Sequence, residues 1–128
     1  MADTGRKKIL IVEDEEDFSK GLQVILEASG FDVHAARTGK EGITMAKSIR
    51  PDLIILDIML PEIDGYKVCR FLKFDERYKG IPVVMLTARA QEEDKRRGKE
   101  TGADAYLVKG MNPEDLVREI RPLLYKSA

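Results

Sequence analysis

The chain has 128 residues, enough for one domain that buries roughly two-thirds of its unfolded surface. Its 43% hydrophobic and 35% charged content suits a soluble globular protein, and the balance of Lys+Arg 22 against Asp+Glu 23 argues against a primary nucleic-acid binder, which would carry a basic face. No apolar run approaches the roughly 18 residues of a membrane span, no apolar signal core follows Arg6-Lys7-Lys8, and the lone Cys69 excludes an internal disulfide or a cysteine metal cage, so the expected compartment is the cytoplasm.

Apolar runs alternate with helix-like segments, the pattern of repeated βαβ units and of a parallel sheet covered on both faces. The first predicted strand, Lys8–Val12, ends in Glu13-Asp14. A helix near Glu16–Ser29 follows, with Phe18, Leu22, Ile25, Leu26 and Ser29 on one face and Gly30 in the stop position. The second strand, Asp32–Ala36, carries His34, which reads as a packed or surface histidine rather than a catalytic one. A second helix near Gly39–Ser48 is expected to bury Ile43, Met45 or Ala46, and Ile49, and Pro51 stops it. The most apolar stretch, Leu53-Ile54-Ile55-Leu56, makes a third strand that ends in Asp57.

Asp64 is the expected N-cap of a third helix carrying Tyr66, Val68, Cys69, Phe71 and Leu72, with Cys69 a buried structural thiol. A fourth strand, Ile81–Thr87, precedes an unusual helical segment between Gln91 and Thr101, because Gln91 to Glu100 offers no apolar side chain. Only the stems of Arg96 and Lys99 could hold this segment down, and Gly98 weakens it by about 1 kcal/mol relative to alanine. It reads either as a solvated helix supported by charge pairs or as a segment whose position is easily shifted. The fifth strand is Ala105–Lys109, and the last helix opens with Asn112 as N-cap and Pro113 at its first position. Pro122 predicts a kink or an early end.

Four apolar runs thus end in polar residues: Glu13-Asp14, Asp57, Thr87 and Lys109. In an open parallel sheet the carboxyl ends of the strands lie at one edge, where ligands bind. Each residue alone has an ordinary explanation: the acids favour a helix start, Thr87 could cap a helix, and Lys109 could be a solvated strand end. Together they form a candidate site. Carboxylates crowded at one edge call for a proton or a hard cation, and Mg²⁺ accepts one or two carboxylates plus a phosphate oxygen. A lysine and a hydroxyl beside it supply what a phosphoryl group needs, with Asp57 as nucleophile.

These residues, with Val-Glu-Asp-Glu at the first strand end, Leu-Asp-Ile-Met-Leu-Pro-Glu-Ile-Asp-Gly-Tyr around Asp57, Leu-Thr-Ala-Arg, and Gly-Ala-Asp-Ala-Tyr-Leu-Val-Lys, closely resemble the CheY-like receiver domain of two-component response regulators. The resemblance runs from Lys8 to about Leu124 and implies one receiver domain over residues 1–128. It implies a single doubly wound, flavodoxin-like α/β fold, a five-stranded parallel sheet in the order 2-1-3-4-5 with helices on both faces. Asp57 would take a phosphoryl group from a sensor histidine kinase or a histidine phosphotransfer protein. Mg²⁺ would be held by Asp14, Asp57 and the backbone carbonyl of Met59, with Glu13 acting through water. Thr87 and Lys109 would bind phosphoryl oxygens. Movement of Thr87 would let Tyr106 turn, altering the surface of the Gln91–Thr101 segment, the fifth strand and the last helix. Such a domain is a signalling module that assists its own phosphorylation and dephosphorylation rather than a classical enzyme. Ala88 would leave the phosphoryl group reachable, and Arg89 could tune its lifetime.

The sequence departs from the family at Glu13, where aspartate is commoner, and at Gly110 and Met111, where proline and an aromatic are usual. A cis bond is inexpensive only before proline, so the Lys109–Gly110 bond is either trans or strained. Arg96 and Lys99 replace apolar residues of many relatives. A haloacid dehalogenase-type phosphatase would want an aspartate where Met59 stands, and the acids after the first strand would repel a bound nucleotide phosphate. The nearer alternative is a phosphorylation-independent interaction module. Expected partners are the kinase and a downstream protein or a separate effector domain, with no direct nucleic-acid or membrane binding, for a monomer or a weak phosphorylation-dependent dimer. A free-standing receiver is preferred to an excised piece. Gly21 and Val24, outward on the first helix, are candidates for a kinase-docking face.

Overall fold

A computed structural model describes residues 5–88 and 101–125. Their elements, in chain order, are β1 (Lys8–Val12), α1 (Glu16–Ala28), β2 (Asp32–Ala36), α2 (Gly39–Ile49), β3 (Leu53–Asp57), α3 (Gly65–Lys73), β4 (Val83–Thr87), β5 (Ala105–Val108) and α4 (Pro113–Leu124). All pairings are parallel, in the order β2-β1-β3-β4-β5. β3 and β4, each flanked on both sides, are buried at every position, which is why they read as unbroken apolar runs rather than alternating ones.

Because successive strand side chains point to opposite faces, the sheet feeds two cores. Leu10, Val12, Ile54, Leu56 and Met85 pack against Ala46 of α2 and Val68 and Leu72 of α3. Ile9, Ile11, Ile55, Val84 and Leu86 pack against Leu22 and Leu26 of α1 and Ile120 of α4. The sheet is therefore sandwiched between an α2/α3 layer and an α1/α4 layer.

Local chemistry sets the ends of the elements. Thr38 caps α2 by accepting from Glu41 N, Asp64 caps α3 by accepting from Lys67 N, and Asn112 caps α4 by accepting from Glu114 N, as expected for Asp64 and Asn112. Gly30, with φ of 96°, takes the left-handed conformation that ends α1, and its N–H donates to the Glu27 carbonyl.

Several expectations are corrected. β4 begins at Val83 rather than Ile81, because Ile81 N closes a turn on the Tyr78 carbonyl. Lys109 lies one residue beyond β5, where the chain turns through Gly110. The fully buried side of α2 is Gly39, Gly42 and Ala46, with Ile43, Met45 and Ile49 half-buried around it; a Cβ on Gly42 would stand 2.8 Å from Val12, so close approach selected the small residues. The third helix carries Tyr66, Val68, Cys69, Phe71 and Leu72 as expected; all are buried except Phe71, which is 45% exposed. Helix α4 continues through Pro122 to Leu124, so it does not end early: this proline sits in the last turn, and the Arg118 carbonyl it leaves unbonded lies on an exposed residue that water can reach. The expected Gln91–Thr101 helix, with Arg96, Gly98 and Lys99, and the position of Arg89 lie outside the described residues up to Glu100.

Candidate functional site

The strand register brings the site together. Val12 pairs with Leu56, Asp57 with Leu86, and Thr87 with Val108, so the residues that follow these pairs converge at the carboxyl edge of the central strands. Glu13 N donates to the Ala36 carbonyl, Ile58 N to Leu86 and Lys109 N to Thr87, which carries the hydrogen bonding one step beyond the sheet and fixes the loops. Glu13, Asp57 and Thr87 are 1%, 3% and 5% exposed, whereas Asp14 faces solvent.

One oxygen each from Glu13, Asp14 and Asp57 lie within 4.8 Å of one another. The Lys109 ammonium bridges the two buried acids, 2.6 Å from Glu13 Oε1 and 3.1 Å from Asp57 Oδ2. Asp57 Oδ1 accepts from Met59 N at 3.1 Å, and Glu13 Oε2 accepts from Glu15 N at 3.0 Å. Glu13 Oε1, though close to the ammonium, receives no hydrogen bond of acceptable geometry among the described residues. A buried carboxylate oxygen so placed has unused capacity for a cation or a water. All three acids offer hard oxygen donors, so this set fits Mg²⁺ and not a soft metal.

Burial pushes the Glu13 pKa up from 4.5 to about 7, against the opposing pull of Lys109. For Lys109 burial works against the charge, but the adjoining carboxylates of Glu13 and Asp57 outweigh it, and its pKa rises above the usual lysine value. Two buried acids and one partly exposed base are thus held together with their charges only partly balanced.

The remaining site residues fall as follows. Met59 projects a side chain 75% exposed from the loop after β3. Its neighbourhood is set by Gly65, because a Cβ there would stand 2.2 Å from the Asp57 carbonyl oxygen and 2.8 Å from Ile58 Cα. Tyr106, half-buried on β5, packs against the α2/α3 core, and its hydroxyl is buried without a hydrogen-bond partner among the described residues. The Lys109–Gly110 bond is trans and Gly110 takes a φ of 87°, which resolves the geometry left open by the absence of proline. Cys69 is buried, its thiol donating to the Thr101 carbonyl at 3.5 Å and pushed up in pKa by burial, as a structural thiol should be. His34 pairs with Asp32 on β2, the edge strand farthest from β4 and β5.

Two contributors were missed from sequence. The Lys109 ammonium stands 4.8 Å from the ring centroid of Phe18, a residue assigned simply to the core face of α1. Only the fold reveals this cation–π support. Gly65 is the second; its signal was the Asp-Gly pair at a helix start, read for the aspartate alone.

Beside Lys109 lies an apolar cavity of about 270 Å³ between α1, the β5–α4 turn and α4, with Phe18, Leu22, Ile25, Met111, Pro113 and Leu116 in its walls. Gly21 borders it, and Val24 is 66% exposed on the same helix. Among the described residues no helix is long and apolar enough to cross a membrane.

Residues 9–121 match the family model of the response regulator receiver domain. The chain is 43% identical over 120 residues to the DNA-binding dual master transcriptional regulator RpaA of Synechocystis, covering 94% of this chain and 50% of that protein. It is likewise 43% identical over 121 residues to the alkaline phosphatase synthesis transcriptional regulatory protein PhoP of Bacillus subtilis, with the same coverage of each. The chain therefore spans about half the length of these regulators. Among solved structures, it superposes on a putative response regulator from Chloroflexus aurantiacus with a TM-score of 0.89 at 34% identity, over 93% of this chain and 98% of that one. Chemotaxis protein CheY4 of Vibrio cholerae gives 0.88 at 31% identity, over 93% and 99%.

Proposed function

This chain belongs to the response regulator receiver domain family, and on that premise we propose that it is a phosphoacceptor in which Asp57 receives a phosphoryl group from a phosphohistidine. One observation carries the proposal: a carboxylate buried at the end of β3 is bonded to a lysine and lies within 4.8 Å of two further acids. An Asp57 oxygen attacks phosphorus as the phosphorus–nitrogen bond to imidazole breaks, and the departing imidazole keeps the electron pair and is protonated from solvent. Asp14, Asp57 and the Met59 carbonyl would hold Mg²⁺, with Glu13 reaching it through water. The ion supplies positive charge to the equatorial oxygens of the transferring group.

Lys109 already sits on Asp57, so it needs little movement to meet an oxygen of the acyl phosphate. Thr87, buried at the end of β4, would be the hydroxyl partner of the same group. A shift of Thr87 toward the phosphoryl group would open room for Tyr106, whose hydroxyl gives up no hydrogen bond among the described residues when it turns. The surface that reports the event is then β5, α4 and the segment preceding β5. The donor is a sensor histidine kinase or phosphotransfer protein, docking over α1 at Gly21 and Val24, beside the apolar cavity. Output passes to a protein partner or to an effector unit outside the receiver.

The test is incubation with a small acyl phosphate and Mg²⁺, read by intact mass. A single added phosphoryl group in the native chain, absent in Asp57→Asn and absent with chelator, is expected. No adduct in the native chain would leave only the phosphorylation-independent interaction module standing.

A further inference from the structure

The α2/α3 layer, on the side of the sheet away from α1 and α4, carries a surface that the phosphoacceptor reading does not use. Phe71 of α3 and Phe74, the residue that caps its C-terminus, are 45% and 69% exposed. Residues three apart lie on one helical face, so the two rings form a single apolar strip. Such side chains are ordinarily turned inward in a monomeric domain, and a contiguous pair of exposed phenylalanines marks a contact surface.

The strip is surrounded by cations. The Lys47 ammonium stands 5.1 Å from the ring centroid of Phe71, and the Arg70 guanidinium 5.4 Å from that of Phe74. Lys67 opens the same face. Lys47, Lys67 and Arg70 are exposed and make no ion pair among the described residues, whereas the neighbouring Arg77 is matched to Asp75 and Lys79 to Glu76. The surface thus holds three cations outside any ion pair among the described residues, interleaved with two aromatic rings, although the field of Lys47 also reaches Asp75. Around the strip the surface is a broad open depression of about 820 Å³ on α3 and the turn that follows it, with Asp75 and Glu76 in its wall.

We infer that this depression is a docking site for an acidic protein segment bearing apolar side chains, such as one face of an amphipathic acidic helix. Three features select that occupant. Lys67 and Arg70, which line the depression without an ion-pair partner among the described residues, ask for carboxylates. Phenylalanine and arginine together are the composition of a protein interface core rather than of a rim. Charge disfavours a surface of dense, evenly spaced anions: Asp75 and Glu76 line the same depression and would face the phosphates of a nucleic-acid strand or of a lipid headgroup layer. Discrete carboxylates on a peptide can be placed to avoid those two residues.

The inference is independent of Asp57 chemistry and is tested on the unphosphorylated 128-residue chain. The probe is a designed 18-residue amphipathic helix with glutamates on one face and leucines on the other, followed by amide chemical shifts. Saturable shifts confined to Lys67–Arg77 and neighbouring α2 are expected. Affinity should fall at least tenfold in Phe74→Ser and in Arg70→Glu, and should also fall when the peptide's glutamates are replaced by glutamines. Phosphorylation of both variants by a small acyl phosphate should match the native chain, which separates this surface from the phosphoacceptor site. The inference is overturned if the peptide gives no saturable shift up to millimolar concentration or binds elsewhere on the chain. Affinity in the two variants equal to that of the native chain overturns it too, as does tighter use of the same residues by oligo-dT or by phosphatidylserine vesicles.

Discussion

Glu13→Gln should remove a specific pH dependence of stability. Glu13 is buried, and its pKa rises from 4.5 to about 7 on folding. A group with a raised folded pKa favours the native state fully below the unfolded value and loses that contribution as pH climbs through the folded one. The difference of about 2.5 pH units corresponds to about 3 kcal/mol, most of which falls between pH 5 and 8.5. Glutamine has nearly the same shape and does not titrate, so the variant should lack this slope, whatever constant offset comes from losing the ion pair with Lys109. Urea unfolding in chelator at pH 5, 7 and 8.5 reads the difference between the two proteins. The native chain should lose roughly 2–3 kcal/mol relative to Glu13→Gln across that range. A difference constant within about 0.5 kcal/mol would refute the claim that Glu13 is forced toward its neutral form by burial. Mg²⁺ adds a second reading: bound only to the native state, at a hundred times its Kd it stabilises by about 2.7 kcal/mol. That gain should be larger at pH 8.5, where the acids are ionised, than at pH 5.

Lys109→Ala leaves two buried acids without their shared cation and should cost about 3 kcal/mol in urea unfolding at pH 8. It should also slow Mg²⁺-dependent phosphorylation by small donors on the order of 100-fold, as measured by intact mass against time. Gly65→Ala drives a Cβ into the backbone of Asp57 and Ile58 and should cost about 2 kcal/mol, with weakened Mg²⁺ affinity read by titration. Gly110→Ala meets nothing within 4 Å, so its cost is only that of the left-handed backbone, about 1 kcal/mol in the same unfolding assay. Val24→Glu should impair phosphotransfer from the cognate kinase while leaving phosphorylation by a small acyl phosphate unchanged.

What could be read from sequence were the features with a strong local cause. β1 and β2 were legible to the residue, and β3 also, because unbroken aliphatics and an abrupt polar end have no other comfortable home than a buried parallel strand. Asp64, Asn112 and Gly30 announced helix ends through side-chain capping and positive φ. Glu13, Asp57, Thr87 and Lys109 could be gathered into one place because each terminates such a strand and the sheet order aligns those ends. Contacts set by depth and direction were not legible. Phe71 is as apolar as Leu72, and which of the two α3 buries depends on how that helix rolls against α2, a tertiary choice absent from local pattern. The close approaches that call for glycine at 42 and 65 are to the Val12 side chain and to the backbone of Asp57 and Ile58, contacts that only the folded chain makes.

The turn after β5 shows how a local departure can leave the site intact. A proline after the lysine constrains φ near −65°, whereas Gly110 reaches 87° across a trans bond. Lys109 nevertheless arrives at both acids, because its position is fixed from elsewhere: its N–H is bonded to the Thr87 carbonyl and its ammonium is held between Glu13, Asp57 and the Phe18 ring. Those anchors come from β4, the β1 end, the β3 end and α1, so the lysine is over-determined by the sheet edge and does not depend on the residue that follows it. The glycine then contributes freedom in the turn that borders the α1/α4 cavity, without changing the charge that reaches Asp57.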